Sequence, residues 1–517
     1  MRFAGVPGLM ALIGALGLGM LAPAGFALIE GDWRTARLFA WAAMFTLFAA
    51  AILGIAARSA RPPRAPAREE LLTLVGAFSV APAFAAAPIF LVAPHLGPGG
   101  ALFEAVASLT TTGATLLDPA PTPRALHLWR ALLGWTGGFL TLTAAAAILA
   151  PRELLDLPGT VSAESERRDP GRALGLGPGG RRALKAAAGI APIYLGFTAL
   201  AAVALAAASG AEADALATLC HAMGLVATSG ITPSPEGFAG QGGGHWAEAV
   251  MAVCLVLAAT RLTYARAAAR AGARGFGLRR DDGLDPELRL MAIAVAVATL
   301  WLLGRGLLGK AGIAPSGAVG AVAWWEALWG GAVTFLSFLT TTGYVSADWE
   351  AALFWSGAWR GIDAGAGLML IGLATLGGGV ATTAGGVKLF RAYALFRHGG
   401  AELARLPHPR AVDAARTIGG PIARRAILNA WVVVMLYLAA FGAALLGLTL
   451  TGLPFGPALA AAAAALSNTG PLLPVAAGVE WIQLSPPAQA IAGTVMVVGR
   501  IELLAAVALF NPIYWGR

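Results

Sequence analysis

The stretch SLTTTGATLLD, Ser108 to Asp118, lies between two long apolar runs. Three threonines lead into Gly113, and an aspartate closes the segment. It is too polar to cross a bilayer comfortably and too short to be a soluble domain. What it does depends on the chain around it, and that chain has the composition of a membrane protein. Of 517 residues, 58% are hydrophobic and only 12% charged, where a soluble protein carries about 25% charged residues. Apolar runs recur at 6–29, 38–57, 71–92, 125–149, 186–208, 247–260, 290–308, 361–376, 426–450 and 488–510. Several reach the roughly 18–20 residues needed to cross a hydrocarbon core about 30 Å thick. The alternating segments of about ten residues that mark a β-barrel do not occur. The expected fold class is an all-α polytopic membrane protein. The first run is long and a second follows at once, so it reads as a retained helix rather than a removed signal peptide.

Charge gives the orientation. Arginines and lysines gather at 58–68, 152–185, 261–289 and 388–425, while 209–248 and 451–486 contain none. Basic loops stay on the cytoplasmic side. Ten crossings with both termini cytoplasmic satisfy that rule at every loop. The net charge of +9 therefore serves topology, and no nucleic-acid partner is expected. Two cysteines, Cys220 and Cys254, exclude a disulfide framework and a cysteine-rich metal site.

The opening stretch is one of four. ATSGIT (Ala227–Thr232), LTTTGYVSAD (Leu339–Asp348) and LSNTGPLLP (Leu466–Pro474) each set small polar residues before a glycine. Gly113, Gly230, Gly343 and Gly470 recur at intervals of 117, 113 and 127 residues, and a long, near-constant period marks a duplicated unit. Each unit reads as helix, short helix, polar loop, helix. The short helices, expected at 101–110, 213–226, 324–339 and 457–466, fit half-helices entering from outside. Non-helical backbone at membrane depth persists only when buried in protein or lining water, and four copies around an axis supply that shelter. The half-helix C-termini, each carrying about −0.5 charge, then favour cations at the centre. Rings of carbonyls from four such loops replace the hydration shell of potassium. Glycine lets the chain visit φ > 0 while pointing successive carbonyls one way. A single copy would read as an ordinary turn; four at matching positions do not.

This divides the chain into an N-terminal transmembrane helix pair (1–60) and four pore repeats, at 70–151, 182–272, 288–398 and 420–517. The repeats are pseudo-symmetric helix–pore-loop–helix units around a central pore, and the third has a broken return helix.

The four loops resemble those of the Trk/Ktr/HKT superfamily of potassium transport subunits, specifically the bacterial Trk-type membrane subunit. The likeness also includes LWRALLGWTGG (Leu128–Gly138), ATTAGGVKLFR (Ala381–Arg391), HPRAV (His408–Val412) and GRIELLAAVALFNPIYW (Gly499–Trp515), and covers roughly residues 70–517. The resemblance implies potassium uptake through a selectivity filter in the bacterial cytoplasmic (inner) membrane. It implies ion-binding groups from Thr111, Thr112, Gly113, Thr228, Ser229, Gly230, Thr341, Thr342, Gly343, Asn468, Thr469 and Gly470. Asn468 departs from the hydroxyl pattern, although its carbonyl remains. Glycine rather than serine at 113 favours potassium over sodium by the same likeness. A homodimer docked on a cytosolic ring of nucleotide-binding regulatory (TrkA-like) subunits is implied, with membrane lipid around it. Potassium is the one ion expected, with no organic cofactor. The alternative is a secondary carrier with symporter activity, coupling potassium or sodium to another ion. An enzyme is not expected: no Ser/His/Asp set, HExxH motif or paired carboxylates lie together in an apolar run.

Two features point to a gate. LGGGVATTAGGVK, Leu376 to Lys388, holds Gly377, Gly378, Gly379, Gly385 and Gly386 in the third return helix. Each interior glycine costs a helix about 0.8–1.0 kcal/mol, so five should break it. The other reading is a close-packing surface of small residues. Thr382 and Thr383 would keep an unwound segment compatible with water, and the resemblance implies a movable loop there. Arg500 sits in an apolar run about ten residues, or roughly 15 Å, from its end. At mid-membrane an arginine costs at least about 2.5 kcal/mol. Snorkelling or a pair with Glu502 would explain it; the resemblance implies an electrostatic barrier in the pore. Lys388 is either part of this gate or a cytoplasmic anchor.

Three patterns carry less. GLGPGG places Gly175, Gly177 and Gly180 at dinucleotide-motif spacing, but no strand precedes it. His127, His221 and His245 lack ligand spacing and read as ordinary surface or interfacial histidines. Asp118 and Asp348 follow loops, where they either draw cations to the mouth or are simply solvated.

Overall fold

The computed structural model describes residues 7–59, 66–146, 178–210, 213–260, 263–264, 285–310, 324–356, 365–380, 382–407 and 424–501. Most of the basic loops, the HPRAV motif, Gly175, Gly177, Ala381 and the chain from Glu502 onward lie outside these residues. Every regular element among the described residues is a helix.

The ten apolar runs are not equivalent. Among the described residues six helices are long and apolar enough to cross a membrane: Gly8–Ile29, Trp33–Ala56, Leu71–Val92, Ala183–Ser209, Pro286–Leu308 and Ile427–Leu450. They are the N-terminal pair and the first helix of each repeat. These outer helices expose large apolar side chains, among them Leu200, Val203, Val297, Leu300, Leu438 and Leu446. An outward apolar face needs lipid against it. The return helices, Arg124–Ala144, Gly244–Ala258, Ala366–Leu376 and Pro486–Arg500, are shorter or more polar. They hold Arg130, Glu248 and Arg500 in buried positions. Polar groups inside and apolar groups outside is the order a hydrocarbon solvent demands.

Between each outer and return helix lies a half-helix: Gly97–Leu109, Ala215–Ala227, Trp324–Leu339 and Phe455–Ser467. Each has 13 or 16 residues, about 20–24 Å at 1.5 Å per residue, short of a full crossing. Their starts define what we call the upper side. There Asp214 caps the second half-helix, accepting from Leu216 N at 3.4 Å and Ala217 N at 3.3 Å, as N-cap carboxylates do. Arg124 bridges Asp214 at 2.5 Å and Glu30 at 2.6 Å, tying the N-terminal pair to the first two repeats. Burial pushes the Asp214 carboxyl up, but the Arg124 bond and charge outweigh it and the net direction is down.

Candidate functional site: a ring of four loops above an intramembrane segment

All four half-helices end in the same turn. The residue two before each glycine is left-handed: Thr111 at φ 55°, Thr228 at 50°, Thr341 at 59° and Asn468 at 55°. The next residue then bonds back across the turn. Thr112 N reaches Ala107 O at 2.8 Å, Ser229 N reaches Gly224 O at 2.9 Å, Thr342 N reaches Ser337 O at 3.0 Å, and Thr469 N reaches Ala464 O at 2.8 Å. This is the 6→1 closure of a helix C-terminus, whose left-handed position is usually glycine. A β-branched residue there is a genuine outlier, at about 1–3 kcal/mol each. Asn468 takes this conformation readily, but the same strain at Thr111, Thr228 and Thr341 marks the turn as one the molecule maintains.

The loops close on one another. A Cβ added to Gly113 would lie 2.1 Å from Ser229 O, and one on Gly230 2.1 Å from Thr342 O. On Gly343 it would meet Pro471 Cγ at 2.9 Å, and on Gly470 it would meet Ala114 N at 2.2 Å. Loop 1 thus abuts loop 2, loop 2 abuts loop 3, loop 3 abuts loop 4, and loop 4 returns to loop 1. The four glycines encircle one axis. Gly470 N also donates to Thr112 O at 2.6 Å, and Asn468 Nδ2 donates to Thr112 Oγ1 at 3.0 Å.

Loop 4 corrects one expectation. Gly113, Gly230 and Gly343 have φ of 73°, 63° and 84°, whereas Gly470 lies outside the left-handed region. Its missing side chain serves close approach instead. Its carbonyl accepts from Trp481 Nε1 at 2.9 Å, so it is not offered in the way the other three could be. Asn468 brings its amide to Met496 O at 2.9 Å, a structural use of the residue that departs from the hydroxyl pattern.

The hydroxyls pair along the loops. Thr110 and Thr112 meet at 2.7 Å, Thr340 and Thr342 at 3.2 Å, and Ser467 donates to Thr469 at 3.1 Å. Ala227 stands at the matching place in loop 2, and the buried Ser229 Oγ has no hydrogen-bond partner among the described residues.

Below the ring runs the glycine-rich segment. The third return helix stops at Leu376 and a new helix begins at Leu389, so the five glycines do break it. Val387 N bonds Thr375 O at 2.9 Å, Lys388 N bonds Leu376 O at 3.0 Å, and Leu389 N bonds Gly378 O at 2.9 Å. The segment therefore leaves the helix and returns to where it left. On its way it touches three loops. Gly385 N donates to Thr341 Oγ1 at 2.7 Å, and Thr383 Oγ1 accepts from Thr228 Oγ1 at 3.2 Å. A Cβ on Gly385 would lie 1.9 Å from Ser467 O. Thr382 Oγ1 donates to Gly379 O at 2.6 Å. Gly377 and Gly386 are left-handed, at φ 72° and 77°, while Gly378 and Gly379 make room for neighbours. From below, Gly379 N is held by Ala259 O at 2.8 Å and Val380 N by Glu287 Oε1 at 3.1 Å.

Arg500 meets this segment. Its Nη1 donates to Thr383 O at 2.7 Å, and the side chain is buried, with Nε and Nη2 lacking hydrogen-bond partners among the described residues. It does not snorkel to a surface. Lys388 is buried too and donates from Nζ to Ala384 O, which favours its place in the segment over a surface anchor.

Several residues that sequence reasoning passed over hold the ring's upper side. Glu104 accepts from Thr115 Oγ1 at 2.8 Å and from Leu116 N, and Arg130 Nε lies 3.0 Å from its other oxygen. Glu248 accepts from Ser346 Oγ at 2.8 Å, Ala347 N at 2.7 Å and Trp329 Nε1 at 2.5 Å. A charge inside an apolar run was the available signal. The histidines also differ from expectation. His127 and His221 are buried, His127 against Pro119 O at 3.2 Å and His221 between Gln241 and Thr232. Of these three only His245 is at a surface, 2.7 Å from Asp348; Asp118 is solvated and bonds Ala120 N at 3.2 Å. Among the described residues no cluster could hold a metal through His, Cys, Asp or Glu.

Half-helices converging on a closed ring of loops define a membrane transport protein with a fourfold re-entrant core. The TrkH family of cation transport proteins matches residues 43–515, and the chain belongs to that family. It is 29% identical over 434 residues to the Trk system potassium uptake protein TrkI of Halomonas elongata, covering 82% of this chain and 79% of that one. It is 26% identical over 435 residues to the potassium uptake protein TrkH of Escherichia coli K12, covering 82% and 80%. The crystal structure of the potassium transporter TrkH from Vibrio parahaemolyticus superposes over the whole of both chains with a TM-score of 0.76 at 24% identity. That likeness carries the fold.

Proposed function

We propose that this protein takes up potassium across the cytoplasmic membrane through the loop ring, which acts as a selectivity filter. The observation that carries the reading is the closed circuit of Gly113, Gly230, Gly343 and Gly470 at four half-helix carbonyl ends. Such ends are negative, and carbonyl rings can replace a cation's water. Carbonyls of Thr111 and Gly113 and the counterparts of Thr111, Thr112 and Gly113 in loops 2 and 3 are the ligands, with Asn468 and Thr469 serving in loop 4; the Thr112 carbonyl is shared with the Gly470 N–H it accepts from. The segment 376–388 is the gate. It stands across the lower side of the ring, and Arg500 both holds Thr383 and opposes a cation electrostatically. The names of the relatives, all potassium uptake proteins of the Trk system, support the choice of ion. A homodimer and a cytosolic nucleotide-binding ring that moves the gate complete the proposal.

The test is uptake in a host lacking its own potassium systems. The wild-type chain should restore growth at low potassium and take up rubidium in preference to sodium. Gly113→Ser adds a Cβ where Ser229 O lies 2.1 Å away and should lose that preference. Expressed wild-type protein that admits no rubidium would refute the reading.

A further inference from the structure

Nine residues before each loop glycine the half-helices carry Glu104, His221, Thr334 and Ala461. These positions are one register, two and a half turns back from the loop, and the first three side chains bond the outgoing segment of their own loops. Glu104 accepts from Thr115 Oγ1 at 2.8 Å and from Leu116 N. His221 Nε2 lies 3.0 Å from Thr232 Oγ1 and its Nδ1 2.6 Å from Gln241 Oε1. Gln241 uses its amide to donate to Thr218 at 2.7 Å and Ser209 at 3.3 Å. Its oxygen therefore takes the Nδ1 proton, and Nε2 is left to accept from Thr232. Thr334 Oγ1 accepts from Ser346 N at 3.2 Å. Ala461 offers nothing.

Donor and acceptor change together. The residue two after the glycine is Thr115, Thr232, Val345 and Leu472 in turn. In the first two loops this threonine also caps the residue two further on, accepting from Leu117 N at 3.0 Å and from Ser234 N at 3.1 Å. In loop 3 the bond moves to the next residue's backbone. In loop 4 the outgoing chain winds into the short helix Leu472–Ala477, and Trp481 holds Gly470 instead. The series runs from a carboxylate, through an imidazole and a hydroxyl, to a methyl group. Hydrogen bonds to an ionised acceptor are about twice as strong as neutral ones, so a carboxylate ties its loop harder than a neutral acceptor does; loop 3 has a second tie of that kind, from Glu248 of the neighbouring return helix to Ser346 Oγ at 2.8 Å and Ala347 N at 2.7 Å. Arg130 Nε lies 3.0 Å from Glu104 Oε2, off the hydrogen-bonding line, and forms an ion pair beside this clamp.

We propose that Glu104, His221 and Thr334 are positioning residues that fix the width of the ring, and that these ties set how well potassium is preferred to sodium. The proposal rests on the filter reading above. A smaller ion gains only if the ligands move inward to meet it. A loop tied to its own half-helix resists that movement, and an untied loop does not. Loop 1 is tied by Glu104 within its own repeat and loop 3 also by Glu248 across repeats, while loop 4 is held from outside its half-helix, by Trp481 on Gly470 O and by its own Gly470 N on Thr112 O.

The test measures rubidium and sodium uptake by the full-length chain in the potassium-deficient host, with surface amount and thermal stability in detergent measured alongside. Glu104→Gln removes the charge and should lower the rubidium-to-sodium ratio about tenfold. His221→Phe should lower it severalfold, and Thr334→Val, which deletes one neutral acceptor, about threefold or less. Gly196→Ala on the outer face serves as the control. Loss of ratio in that order, at equal surface amount, supports the proposal; a residue that only supported the fold would lower amount and stability without moving the ratio. Should Glu104→Gln fail to reach the membrane because Arg130 is left unpaired, His221→Phe and Thr334→Val decide. Wild-type preference for rubidium together with unchanged ratios in those two variants overturns the clamp series. Wild-type protein with no preference overturns the filter reading instead.

Discussion

Glycines on the lipid side and glycines against the ring do opposite things. Gly196 and Gly442 lie in outer helices, and a Cβ added to either would meet nothing within 4 Å. Gly137 and Gly385 lie against the ring, where an added Cβ would come within 1.8 Å of Leu109 O and 1.9 Å of Ser467 O. Leu109 and Ser467 are the last residues of the first and fourth half-helices. The first pair leaves open space on the outer face. The second lets one backbone lie directly on the carbonyl end of another. That contact brings the return helix and the intramembrane segment close enough to shape the site, and it depends on having no side chain at all.

The sharpest way to break this contrast is to add one methyl group on the ring side. Gly385→Ala puts that methyl against backbone oxygen, which cannot swing aside as a side chain could. Overpacking of this kind costs about 1–3 kcal/mol or more. We expect rubidium uptake below about a tenth of wild type. Gly137→Ala should lower the folded amount as well, read by size-exclusion chromatography in detergent. Near-normal transport by both variants would show that the segment is not seated as described.

The next effect has the opposite sign. Arg500→Ala removes a buried charge that holds Thr383 O at 2.7 Å. A cation about 8 Å from a guanidinium is repelled by about 2 kcal/mol at an effective dielectric of 20. Its removal should raise cation flux by up to about thirtyfold at equal expression, measured in proteoliposomes. Unchanged or lower flux would assign Arg500 to holding the segment alone.

Much of this was legible before any coordinates, and the reason is repetition. Four loops with a glycine at near-equal spacing located the ring, and five glycines in the third return helix located the break at Leu376. What stayed hidden has no periodic signal. Nothing in the sequence says that Gly385 seats on Ser467 O or that Gly442 faces outward. Gly470 shares the motif of the other three glycines but not their backbone conformation, because Pro471 and Trp481 give loop 4 a different exit. His221 looked like an interfacial residue because its partners, Gln241 and Thr232, lie 20 and 11 residues away along the chain. Glu104 and Arg130 were visible as charges in apolar surroundings, but their pairing needed the packing of a half-helix on its return helix.

A milder test sharpens the difference between loop 4 and the rest. Trp481→Phe keeps a large ring in the core and removes only the Nε1 donor to Gly470 O at 2.9 Å. One neutral hydrogen bond is worth about 1 kcal/mol, so ion preference should fall by about threefold to fivefold while the folded amount holds. A variant indistinguishable from wild type would mean that the short helix Leu472–Ala477 holds the loop without help.

The smallest effect is the most informative about the outer face. Gly442→Ala adds a methyl group where the chain itself leaves open space, in the middle of the helix Arg424–Leu450. Alanine favours a helix over glycine by about 1 kcal/mol, and it also restricts the unfolded chain. Uptake should stay within about twofold of wild type, and thermal stability should be equal or higher. Gly196→Ala should behave the same way. The two substitutions then discriminate between lipid and protein as the neighbour of this surface. Lipid chains adjust around a methyl group, but a second protomer packed on Gly442 could not. A loss of stability confined to Gly442→Ala would therefore place protein rather than lipid against that helix, and make it the first surface to probe for the contact between two copies of the chain.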